Sequence, residues 1–64
     1  MRDYQKSVYA ELLDLNGKRE RLIKFMSTRE FIELNQFHKE LLNKQNVLME
    51  LYADVLQARI MSFT

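Results

Sequence analysis

Val8, Leu12, Leu15, Leu22 and Met26 recur at steps of three, four and seven, the spacing of one face of a helix. The member missing from this heptad series is Arg19, and Tyr9, Leu13, Ile23 and Phe25 widen the stripe. The pattern predicts a first helix over about residues 4–26 with Asp3 as its N-cap. Gly17 falls inside it behind Asn16, a pair that often makes a turn. The heptad phase runs through Gly17 unbroken, so the helix is expected to continue. Ser27 and Thr28 are capping residues that open a corner over 27–35, with a short segment carrying Phe31, Ile32 and Leu34.

Asn35 is placed to cap a last helix over about 36–61. That helix carries two apolar series, Leu41, Leu48, Val55 and Leu42, Met49, Leu56, Phe63. The fold class is therefore all-α, an antiparallel helical hairpin forming one domain over residues 1–64. A hairpin offers only one neighbouring helix, so one series is left bare, and the expected remedy is an oligomeric helical bundle. The Leu42, Met49, Leu56 and Phe63 series is assigned to the contact between copies.

Composition narrows the functions. The chain has 64 residues, one Gly, no Pro and no Cys, with 47% hydrophobic residues. A chain of this size is marginal alone, and without cysteine it lacks both disulfides and thiolate metal sites. No cofactor and no metal site is expected. The carboxylate pairs Glu11/Asp14 and Glu50/Asp54 have the spacing of ordinary solvated helix faces. No nucleophile motif or phosphate-cradling loop is present, so an enzyme is not expected. The sequence carries no long apolar run and no targeting signal, which predicts a cytoplasmic protein without a membrane partner.

The net charge of +1 conceals an asymmetry: residues 1–32 carry seven basic and five acidic side chains, residues 33–64 three and four. Lys18, Arg19, Arg21, Lys24 and Arg29 cluster towards the corner, where His38, Lys39 and Lys44 begin the facing helix. Nucleic acid is a weak candidate partner, because the balanced charge gives no long-range field. A small phosphorylated ligand suits the cluster better, since guanidinium forks match phosphate. Arg19 has two readings, a salt bridge to Glu40 or another acid and a phosphate contact.

His38, Gln45, Tyr52 and Arg59 form a polar column at heptad spacing on the last helix. Such a column either fixes register between chains or holds a ligand, with Tyr52 stacking a base and Arg59 holding phosphate. Tyr4 and Tyr9 are expected near Tyr52, Arg59 and Phe63. The candidate ligand residues are Arg19, Tyr52, Arg59, Gln45, Tyr4 and Lys18.

Phe25-Met26, Phe31, Leu34, Leu41-Leu42, Gln45, Met49, Tyr52, Val55-Leu56 and Arg59-Ile60, preceded by Tyr4-Gln5 and Val8, resemble a family of short helical phage and prophage proteins related to a crAss-like phage protein. Arg19 departs from the apolar residue of that pattern. In size and architecture the chain is similar to phage helical hairpins that act as sponges for nucleotide immune signals in CBASS and Thoeris defence. It lacks their Gly-Tyr-Arg motif. The resemblance implies an anti-defence protein in an infected bacterium, a homo-oligomer sequestering a cyclic or ADP-ribose-like nucleotide between protomers without catalysis. The alternatives are a structural or adaptor oligomer acting through protein contacts and, third, a weak nucleic-acid binder.

Overall fold

The computed structural model describes residues 2–63, which form three helices: α1 (Asp3–Met26), α2 (Arg29–Glu33) and α3 (Gln36–Met61). α1 packs antiparallel on α3, and α2 turns the corner between them. The result is an all-α hairpin 46 Å long and 15 × 13 Å across.

The helix ends follow side-chain chemistry. Arg2 rather than Asp3 is the N-cap of α1, and Gln5 Oε1 accepts the Arg2 N–H at 3.0 Å. Gln5 can reach back three residues to that N–H, so Asp3 enters the first turn, where its charge complements the helix dipole. Gly17 is helical with no positive φ, and α1 runs through it without interruption. Thr28 Oγ1 donates to the Phe25 carbonyl at 2.6 Å and accepts from Phe31 N–H at 3.3 Å, tying the end of α1 to the start of α2. Asn35 Oδ1 accepts the His38 N–H at 2.9 Å and starts α3.

Val8 and Leu15 of α1 and Ala53 and Leu56 of α3 are buried, with Leu12, Met49, Ile60 and Phe63 packed around them. This corrects the assignment of the two apolar series. Leu56 and its neighbours Met49 and Phe63 belong to the chain's own core, and Leu42 of the same series is half-buried. The reason lies one position along the helix. Ala53 and Ile60 flank that series, and the small Ala53 lets α1 approach closely there. The series left bare is the other one: Leu41, Leu48 and Val55 are 47%, 66% and 56% exposed, with Phe37 and Leu51 beside them.

The core occupies only the half of the hairpin near the chain termini. Towards the corner the facing positions are Arg19, Leu22 and Met26 against Lys39, Leu42 and Asn46, all half-buried.

Candidate functional site

Tyr52 donates its hydroxyl proton to Glu11 Oε1 across the two helices. That bond sets the register. Because the helices are antiparallel, Lys18 and Arg19 come level with Gln45 and Asn46, and Tyr4 comes level with Arg59. Tyr4 and Tyr9 both make edge-to-face contacts with Phe63, at centroid distances of 5.7 and 6.2 Å. The aromatic cluster expected near the termini is therefore formed by these three rings, with Tyr52 turned to Glu11 instead.

The polar column is a continuous exposed line on α3: His38, Gln45, Tyr52 and Arg59 all reach solvent. At about 100° per residue, it runs between the seam with α1 and the bare Leu41, Leu48, Val55 stripe. Shallow grooves border that stripe on both sides. One is lined by His38, Leu41, Leu42 and Gln45, the other by Asn43, Lys44, Val47 and Leu48. A third, on the opposite side of the hairpin, is lined by Tyr9, Leu12, Leu13 and Asn16.

Electrostatics tie the site together at Tyr52. The hydrogen bond to Glu11 holds its phenol above the usual tyrosine range; desolvation and the Glu11 charge add to this, and Arg59 opposes it. Arg59 thus acts on Tyr52 from one helical step along the column. Lys18 is drawn to its own helix by Asp14 at 3.3 Å, the one salt bridge among the described residues. Glu11 and Asp14 are engaged with Tyr52 and Lys18, and the described residues hold no cluster of three metal-ligating side chains.

Arg19 forms no salt bridge to Glu40 within the described chain. It lies half-buried in the seam with its Nε enclosed and lacking a partner. Sequence reasoning missed its neighbour Asn46, whose Oδ1 is likewise enclosed and unpartnered. The signal was available: Lys39, Asn46, Ala53 and Ile60 form a heptad line beside the Leu42 series. Gln45 and Arg59 lie 14 residues apart, or about 21 Å along the helix. The six candidate residues therefore occupy three levels of the hairpin rather than one pocket.

No described helix is long and apolar enough to cross a membrane. The model of one protein family, Sequestin, matches residues 2–62, and the chain belongs to that family. No curated protein and no solved structure matches the chain.

Proposed function

We propose that this Sequestin-family hairpin sequesters a small phosphorylated ligand, holding it without chemical change. The family name supports sequestration, and the ligand chemistry comes from the exposed column. Arg59 supplies a guanidinium for phosphate and Tyr52 a ring face for a base. Gln45 supplies a donor and an acceptor for a base edge. Those groups suit a cyclic dinucleotide or an ADP-ribose-like signal. With the phage resemblance of the sequence, they support an anti-defence role in the cytoplasm of an infected bacterium.

The carrying observation is that these polar side chains stand in one exposed line beside a bare apolar stripe. A base can stack there while its phosphate reaches an arginine. Binding at contacts between copies follows, because the grooves among the described residues are open and each is lined by a single helix. Tyr4 at the Arg59 level and Lys18 and Arg19 at the Gln45 level are proposed as separate contributors from α1, each at its own level and not in one pocket.

Thermal shift against cyclic dinucleotides and cyclic ADP-ribose isomers tests this reading. A ligand at about 100 times its Kd stabilises by about 2.7 kcal/mol, and the shift should vanish in Arg59→Ala and shrink in Tyr52→Ala. No shift with any member of the panel would contradict it. A second reading, an adaptor that works only through protein contacts, is favoured by the bare stripe. It predicts that Leu48→Glu abolishes activity while no nucleotide binds.

A further inference from the structure

The surface of the chain is too large for its mass. A compact monomer of 7.8 kDa exposes roughly 4,400 Å². This chain exposes 5147 Å². The excess of about 750 Å² is close to the roughly 800 Å² that each partner contributes to a standard interface. On one face of α3, Phe37, Leu41, Leu48, Leu51 and Val55 are bare. Their spacing is that of a second helix-packing seam, interrupted by Lys44.

Lys44 decides the direction in which a second copy can lie. In a parallel pair, Lys44 would face its own counterpart across the seam, opposing like charges. In an antiparallel pair with the twofold axis between Leu48 and Leu51, Lys44 lies beside Val55 of the second copy and level with its Asp54. Leu48 then packs on Leu51 of the other copy, and Leu41 on its Ala58.

The same arrangement shortens the polar column. On one chain, Gln45 and Arg59 are about 21 Å apart, beyond the reach of one base with its phosphate. Reversing the second copy sets its Gln45 and its His38 each about 3 Å along the axis from Tyr52 and Arg59, respectively, so the four groups gather within about 13 Å. The groove lined by His38, Leu41, Leu42 and Gln45 becomes the far wall. Arg59 and His38 each offer N–H donors to a group placed between them, and the space between the two is the place for phosphate.

We propose that α3 pairs antiparallel with α3 of a second copy, building two equivalent sites. Each is made of Tyr52 and Arg59 from one chain and Gln45 and His38 from the other, and takes a nucleotide phosphate between His38 and Arg59. This inference rests on the nucleotide-sequestering reading for its ligand, but the pairing stands on the stripe, Lys44 and the surface area.

The absence of native cysteine makes the pairing directly measurable. Chains carrying Gln45→Cys and chains carrying Tyr52→Cys are mixed and oxidised. The mixed 45–52 crosslink is expected to dominate, because in this pairing the two 45 positions stand about 13 Å apart along the axis. Predominant 45–45 and 52–52 crosslinks, or no crosslink, would overturn the pairing. In the second arm, His38→Ala and Arg59→Ala proteins are assayed separately and after mixing, with cyclic ADP-ribose isomers and cyclic dinucleotides as probes. Each alone should lose binding, and the mixture should recover about a quarter of wild-type capacity, from the one intact site in each mixed dimer. No recovery, with both variants folded by circular dichroism, would overturn the shared site. A 45–52 crosslink in a protein that binds no probe would retain the pairing and overturn the nucleotide site together with the reading it rests on.

Discussion

Tyr52 joins the two helices at one atom, and its titration reports whether that junction forms. Glu11 raises its pKa by accepting the phenol's hydrogen bond, so the neutral phenol is favoured in the folded chain. The stabilisation is complete below the unfolded value of about 10 and is lost as pH rises through the folded value. Tyrosine absorbance should therefore contain a late step that disappears in Glu11→Ala and moves later still in Arg59→Ala, since Arg59 lowers this pKa. An unchanged titration in Glu11→Ala would remove the junction. Gly17 is the other residue with a clear forecast. A Cβ there would meet only the Arg21 Nη1, at 3.4 Å, the end of a flexible side chain. Gly17→Ala should raise stability by about 0.5–1 kcal/mol in thermal denaturation, because helical glycine is entropically unfavourable.

Between elements, the seam separates residues that sustain the hairpin from residues left bare on the outer face of α3. Leu56 is fully enclosed, and Leu56→Ala should cost about 2–5 kcal/mol, enough to unfold much of so small a domain. Leu48 is 66% exposed, and Leu48→Ala should leave the helical signal of the dilute chain intact while weakening the pairing proposed for α3. Circular dichroism and sedimentation across a concentration series separate the two effects. The hairpin and its caps at Thr28 and Asn35 were legible because heptad phase and capping chemistry act locally. The choice between the two apolar series of α3 was not. Both have leucine at heptad spacing, and the deciding features are Ala53, which permits close approach, and Asn46, whose polarity disguises the flanking line as solvent-facing. The Tyr52–Glu11 bond was equally hidden, since a contact across 41 positions depends on register that no local pattern specifies.

For the whole molecule, the tight core near the termini and the half-buried corner divide the hairpin into unequal halves. Amides around Val8–Leu15 and Ala53–Leu56 should exchange most slowly, and those near Leu22–Met26 faster, in hydrogen exchange of the ligand-free protein. Smallness has a functional meaning under the proposed pairing: a rod 46 Å long would build its pocket by sharing it with a second copy. Sequestration without chemistry is the central claim, and recovery of the ligand tests it most directly. Protein saturated with its best-binding member of the cyclic dinucleotide and cyclic ADP-ribose panel is freed of unbound ligand and heat-denatured, and the released nucleotide is identified by mass. One intact nucleotide per chain is the predicted result; a cleaved product, or no retained nucleotide from any member, would contradict it.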